Sequence, residues 1–550
     1  MSFTVNKSVA RAISGLFGSE KDADCTIVFC LEEPSCPLRQ SPPLDDLGAE
    51  VDEAPAKRQK LEDGSSAALS CGTVVVGDPL PAHQFVLRYA SERFSVQIER
   101  WGNQRVPLLK SSPDASEEEC AEGLHLALSN GRPELRITLG SEGELAGAHA
   151  AIRYAYTGQV HAGSIREALE VRRQAAYLQI DECATACDEV VREKLEAASQ
   201  RSSAAGTCTA IIDASPAAGA SADKLPPVLE LYTNEALWPD PDEDPSFAAV
   251  LSAAKPQLVS YFNNAISVLN TPLLRQQLLK LPSAAVYALL ESSAFGTDSE
   301  SSILLMLATW MKKNYAKADA TMRERLCRQV RLVQLSKPYL GFVLPALVLD
   351  YETGAQAPAG WLAVNGMEAA FISNLARASP VEREQLETAG SGMFGLKTPA
   401  YSITPRPQCL PEAGLTFHWH VTQEQLEQKL GQLRREHVYP SFDGGKAHIV
   451  ARGFLWRPSL KYTVGQAAAG LFLWCNMSSA FEVAESRLGD ESKLAAVVEF
   501  DAHLAVHKWQ DGVRRTVQYS YSSSEDMVTI GRGRGWSKVL PLRPTTADSH

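Results

Sequence analysis

Leu135-Arg-Ile-Thr-Leu-Gly-Ser-Glu-Gly-Glu-Leu145-Ala-Gly-Ala-His-Ala-Ala-Ile-Arg-Tyr-Ala-Tyr-Thr-Gly158 changes its hydrophobic period part-way along. Leu135, Ile137 and Leu139 alternate with polar residues, the pattern of a strand with one buried face. From Leu145 the apolar positions become Ala148, Ile152 and Tyr156, one stripe of a helix. A strand running into a helix predicts an α/β domain, and both flanks agree. Upstream, Cys25 to Cys30 and Gly72 to Gly77 are strand-like runs separated by residues 31–72, whose Pro, Glu, Asp and Ser content reads as a disordered insertion. A second polar, acidic insertion covers about 110–133. Downstream, Ile165 to Val191 is amphipathic. The first domain is therefore predicted to span 1–197, followed by an Ala/Ser/Gly-rich linker over 198–224.

Residues 225–350 are repeatedly helical without convincing alternation. Ile303, Leu307, Trp310 and Met311 form the clearest stripe, behind Asp298 or Ser299 as a cap, and predict an all-α domain whose aromatic stripe is core. Residues 351–410, rich in Gly, Pro and Ala, read as an irregular hinge with one further helix over Trp361–Ala378. From 411 the pattern is β: Phe417-His-Trp-His-Val421, His448 to Trp456, Gly470 to Cys475, Ala495 to His507, Thr516 to Tyr521 and Met527 to Ile530. These predict an antiparallel β-sandwich-like domain over 411–543 and a tail over 544–550. The expected fold class is multidomain α+β.

A net charge of −12 over 550 residues argues against general nucleic-acid binding, because a phosphate backbone selects a positive surface. No apolar run approaches the roughly 20 residues that span a bilayer. Val9, Ile13, Leu16 and Phe17 fall at helical spacing, so Met1 to Glu20 reads as an amphipathic helix leading into the first strand rather than as a cleaved transit peptide. Eleven scattered cysteines are expected to be reduced thiols, and the Cys183/Cys187 pair lacks two further ligands at zinc spacing. Lys57, Arg58 and Lys60, set among acids in the first insertion, suit a nuclear import receptor, giving a nuclear and/or cytoplasmic expectation. His83 reads as structural, since no acid or nucleophile accompanies it, and His418 and His420 as ordinary strand residues rather than metal ligands. Gly531-Arg-Gly-Arg-Gly535 lacks a Walker lysine and reads as a turn into Trp536. With no catalytic constellation, cofactor site or metal set visible, the expectation is a chain that is not an enzyme.

Three stretches in order resemble a BTB/POZ domain: Asp24-Cys-Thr-Ile-Val-Phe29 its opening strand, Pro81-Ala-His-Gln-Phe-Val-Leu87 its His-x-x-x-Leu segment, and Ala151-Ile-Arg-Tyr-Ala-Tyr-Thr-Gly158 its late helix and turn. Thr297-Asp-Ser-Glu300 through Trp310, with Val330 to Leu335 and Tyr339-Leu340, resembles a BACK domain. Gly453-Phe454 and Leu471 to Asn476 are similar to plant BTB-BACK proteins of the light-response BTB (POB) family, while Val438 to Phe442 and Gly533 to Lys538 look like pieces of a MATH or TRAF-like sandwich.

The resemblance implies a substrate adaptor of a cullin-3-type ubiquitin ligase, with a cullin scaffold and an unknown protein substrate as partners. It implies a homodimer built on the N-terminal helix, here Val9, Ile13, Leu16 and Phe17. It implies a cullin contact on the helix after His83, here Phe94, Ile98, Glu99 and Trp101, although Ile98 directly precedes Glu99 and departs from the family's hydrophobic-x-Glu order. The alternative expectation is a nuclear BTB scaffold or transcriptional co-regulator without ligase activity.

Overall fold

The computed structural model describes residues 7–32, 73–104, 128–129, 132–204, 225–354, 358–420, 422, 424, 448–461, 468–481, 496–510, 513–522 and 526–541. The chain divides into two units, Met1–Ala198 with Ala236–Val250, and Ser199–Glu235 with Leu251–His550. The basic cluster Lys57, Arg58 and Lys60 lies outside the described residues.

The first unit runs α1 (Lys7–Ser14), β1 (Cys25–Glu32), β2 (Thr73–Ala82), α2 (Gln84–Ala90), α3 (Glu92–Gln104), β3 (Leu128–Ser129), β4 (Arg132–Leu139), α4 (Leu145–Thr157), α5 (Ile165–Leu178) and α6 (Cys183–Ala204). Its sheet has the order β2-β1-β4-β3. β1 is antiparallel to β2, with Cys25 opposite Ala82, and parallel to β4, with Thr26 opposite Glu134. The switch of period at 135–158 is realised: Leu135, Ile137 and Leu139 enter the same core as Ala148, Ile152 and Tyr156. That core also takes in Cys183 and Cys187, so these two thiols are packing residues.

A polar network fixes where the second segment of this unit lies. Arg172, on α5, donates from Nε to Asp188 Oδ1 (2.7 Å) and from Nη2 to Asp244 Oδ2 (2.6 Å), and Ser246 donates to Asp188 Oδ2 (2.9 Å). Arg172 and Asp188 are both buried, a placement tolerated only because charge and hydrogen bonds are matched.

The second unit contains α7 (Pro227–Thr233), most of α8 (Pro245–Phe262), α9 (Ala265–Asn270), α10 (Pro272–Leu278), α11 (Ser283–Glu291), α12 (Glu300–Asn314) and α13 (Ala320–Arg328). A π-helical turn at Tyr339–Val343 then leads into α14 (Leu344–Gly354), followed by α15 (Gly366–Arg377) and α16 (Pro380–Gly390). Ser299 caps α12 by accepting from Ser301 N (3.2 Å), and Trp310 donates from Nε1 to Leu281 O (3.0 Å). Because Glu300 through Ala308 are all buried, α12 is the central helix, apolar on nearly every side.

Residues 351–410 are not the irregular hinge expected from composition. Asn365 caps α15 and a Ser379/Glu382 capping box opens α16. The segment then returns to the helical core: Arg406, buried, donates from Nη2 to Leu290 O (2.7 Å) and Gln329 O (2.9 Å) and pairs with Glu300 at 3.3 Å. Gly, Pro and Ala mark the short connections between these capped helices, which is why composition alone suggested a hinge.

The C-terminal region is antiparallel β, with β5 (Ile449–Ala451), β6 (Phe454–Lys461), β7 (Ala468–Asn476), β8 (Val497–Glu499), β9 (Ala502–Gln510), β10 (Val513–Tyr521), β11 (Met527–Thr529) and β12 (Arg532–Pro541). A sheet of order β12-β7-β6-β5 accompanies the ribbons β10-β9 and β11-β8. Leu504, Val506 and Tyr519 of one ribbon pack on Leu460, Leu471 and Val539 of the sheet, giving the two-layer character expected. Three details differ. Phe417–Trp419 is irregular, its aromatic alternation being too short to separate a strand from an extended loop. His448 to Trp456 is a hairpin rather than one strand. Gly531 (φ 77°) lies in a turn as expected, but Arg532 to Gly535 already belong to β12: a Cβ on Gly535 would stand 2.0 Å from Leu471 O, so that glycine permits close approach of β7.

The hairpin explains why the β region belongs to the same unit as the helices. Its two turn residues, Arg452 (φ 52°) and Gly453 (φ 83°), both have positive φ, the geometry of a tight two-residue turn. Gly453 N donates to Ser302 Oγ (2.9 Å), Arg452 N donates to Asp298 Oδ2, and Tyr339 Oη donates to Gly453 O. The Tyr339 ring meets Phe454 edge-on at 5.3 Å. The turn is thus seated against the start of α12 and the π-helical turn.

Candidate partner-binding face

α2 and α3 meet at Ser91, whose hydroxyl donates to Leu178 O (2.6 Å) and accepts from Phe94 N (3.2 Å). This junction anchors both helices to the end of α5. From there the periodicity of α3 sorts its residues. Phe94 and Ile98, four apart, face inward: Phe94 is 0% and Ile98 8% exposed, and both belong to the core of the first unit. They cannot serve as the cullin contact expected of them, because offering either to a partner would empty the core. Glu99 is exposed and pairs with Arg88 of α2 at 2.9 Å. The Trp101 side chain lies outside the described residues.

The outward side of these elements carries apolar residues that the sequence reading missed. Tyr89 is 85%, Phe85 50% and Val96 44% exposed. Val96 and Glu99, three apart, share one face of α3. Arg93 lies over the Tyr177 ring at 4.1 Å and donates from Nη2 to its hydroxyl (3.0 Å), fixing the side of α3 next to α5. The signal was present in the sequence: once Phe94 and Ile98 are assigned to the core, a helical wheel puts Val96 and Glu99 on the opposite side.

The four N-terminal residues expected to form a dimer contact separate. Ile13, Leu16 and Phe17 pack on the core of their own unit, with Phe17 meeting Tyr156 edge-on at 5.6 Å, whereas Val9 is exposed. α1 itself has no buried residue.

His83 is buried and held at both ring nitrogens. Nε2 donates to Lys21 O (2.9 Å), Nδ1 accepts from Tyr156 Oη (3.3 Å), and that hydroxyl accepts from His83 N (3.0 Å). Both ring nitrogens are therefore engaged, which leaves neither for base or metal chemistry. Burial pushes the Cys25 thiol up to about 12, and Cys327 likewise, which disfavours the reactive thiolate. Among the described residues no group of three or more His, Cys, Asp and Glu side chains could hold a metal ion. No helix among them is long and apolar enough to cross a membrane.

The helical run from late α8 through the π-helical turn, with the Ser299-capped α12 at its centre, can be compared with known families. Residues 257–344 match the BACK family model, "BTB And C-terminal Kelch". The BACK segment thus contains Asp298, Ser302 and Tyr339, the three side chains that seat the Arg452–Gly453 turn, and ends at the first residue of α14. An α/β unit preceding a BACK segment supports a BTB-BACK arrangement. The match stops before the C-terminal sheet. No curated protein matches the chain.

Proposed function

We propose that the chain is a non-catalytic adaptor, in which the first unit docks on a cullin-3-type scaffold and the second receives a protein substrate for ubiquitination. The observation that carries this reading is the BACK match following an α/β unit whose α3 exposes Val96 and Glu99 one turn apart and whose α2 exposes Tyr89. An aromatic and an aliphatic side chain supply area to be buried, and the carboxylate supplies register and charge selection. BACK segments commonly accompany BTB domains in ligase adaptors, which favours a scaffold partner over an enzymatic role.

A homodimer is part of the proposal. Ile13 ties the eight-residue α1 to the core of its own unit, and a second copy covering the exposed Val9 would add packing to a helix that has no buried residue. Lys57, Arg58 and Lys60 support entry to the nucleus in addition to the cytoplasm.

The test is a pull-down from lysate with full-length wild type and the triple variant Tyr89→Ala/Val96→Ala/Glu99→Lys, blotted for cullin, with size exclusion and light scattering reporting the dimer. Cullin recovery by wild type and its loss in the triple variant are expected, at unchanged mass. No recovery with well-folded wild type would overturn the adaptor reading.

A further inference from the structure

Within the second unit, α9, α10 and α12 of the BACK segment and the β5–β6 hairpin enclose a cleft of about 220 Å³. Arg275 of α10, Lys312 of α12 and His448, just before β5, line it, and among the described residues none that lines it is acidic. Lys312 Nζ is held on Ser479 O (2.6 Å). Arg275 makes no ion pair among the described residues. The remaining wall is largely apolar, with Leu279, Leu305 and Leu455 prominent. Burial, and then the nearby Arg275 and Arg457, hold the His448 imidazole below its ordinary range.

Two features limit what could bind. The cleft is smaller than the roughly 300 Å³ at which small-molecule pockets begin, so it accepts one or two side chains rather than a whole drug-sized ligand. Its leucine walls would gain nothing from a free inorganic anion but would bury the apolar neighbours of an anionic group carried on a peptide.

We infer that this cleft binds a single anionic side chain, a carboxylate or a phosphorylated hydroxyl, presented on a partner peptide with apolar neighbours. The inference rests on the adaptor reading and names the chemistry of the substrate segment. Arg275 would hold the anion by charge-assisted hydrogen bonds, Lys312 would add charge from α12, and the leucines would select the flanking residues.

The experiment uses full-length protein and fluorescein-labelled peptide pools with leucine-rich flanks and a central phosphoserine, glutamate, serine or lysine, read by anisotropy. The phosphoserine and glutamate pools should bind about tenfold or more tighter than the serine pool, the scale of one charge-assisted contact, and the lysine pool weakest. Arg275→Gln/Lys312→Gln should abolish that preference, with thermal unfolding showing that the fold survives. Equal binding of the serine pool, a preference that survives the double variant, or inorganic phosphate competing as strongly as the phosphopeptide would each overturn the inference. Cullin recovery, measured on the same variants, should stay at the wild-type level, so failure here is read separately from failure of the scaffold contact.

Discussion

The side-chain amide of Asn270 holds the main chain of Val450 from both sides: Nδ2 donates to Val450 O at 2.8 Å and Oδ1 accepts from Val450 N at 2.7 Å. Val450 lies in β5, the edge strand of its sheet, and Asn270 is the last residue of α9. One amide therefore stands where a further strand would pair, so a BACK helix terminates the sheet and blunts its edge.

Asn270→Leu should leave both groups of Val450 buried and unpaired, at a cost of about 3 kcal/mol from two unsatisfied groups. Chemical denaturation would show the lowered midpoint, and hydrogen exchange should accelerate most at the Val450 amide. An unchanged exchange rate there would show that the amide does not hold the edge.

Gly453→Ala should destabilise the same seam more severely. The added Cβ would fall 2.6 Å from Tyr339 Oη and 2.8 Å from Ser301 Cβ, at a φ of 83° that alanine adopts at a cost of about 1–2 kcal/mol before any clash. Tyr339→Phe removes only the hydrogen bond to Gly453 O and should cost about 1 kcal/mol. Thermal unfolding of the two variants should rank them in that order.

Arg172→Met should cost about 3–5 kcal/mol, because it strands the fully buried Asp188 carboxylate. The Asp244 branch gives a pH signature. Burial raises the Asp244 carboxyl, but the hydrogen bonds from Arg172 and Phe247 N outweigh it and hold the group below the usual carboxylate range. A depressed folded value contributes stability above the unfolded value of about 3.9 and loses it as pH falls through the folded value. Asp244→Asn should therefore be less stable than wild type at neutral pH, with the gap closing in acid. A gap that is constant with pH would rule out the ion pair as its source.

The two sides of α3 should respond oppositely. Phe94→Ala should destabilise by about 3–5 kcal/mol, as a large core truncation does. Val96→Ala should change stability by less than about 0.5 kcal/mol, as for an exposed site. Calorimetry of the full chain separates the two.

The strand-to-helix switch at 135–158 and the α12 stripe were legible because each repeats its period over enough turns to overrule local composition. In 351–410 the helix expected over Trp361–Ala378 appears as α15, whereas α16 was hidden by its Gly- and Pro-rich joints, although Ser379 and Glu382 carry a capping-box spacing that could have exposed it. β12 was hidden because Gly533 and Gly535 read as turn residues when the strand they approach is unknown. Phe94 and Ile98 were assigned to a surface by family position, while their four-residue spacing already marked them as core. The seat of the Arg452–Gly453 turn was not legible at all: its partners Asp298, Ser302 and Tyr339 are more than a hundred residues away, and no local pattern links them.

The first unit is assembled from two separate lengths of polypeptide, Met1–Ala198 and Ala236–Val250, with α7 of the second unit lying between them in the chain. A single cut cannot free either body intact. Truncation after Ala198 parts Arg172 and Asp188 from Asp244, and truncation after Val250 carries α7 away from the helices it belongs with. Fragments of this chain should therefore be produced as co-expressed or rejoined pieces, and a lone amino-terminal fragment that behaves poorly reports a missing fifteen-residue strap rather than an unstable fold.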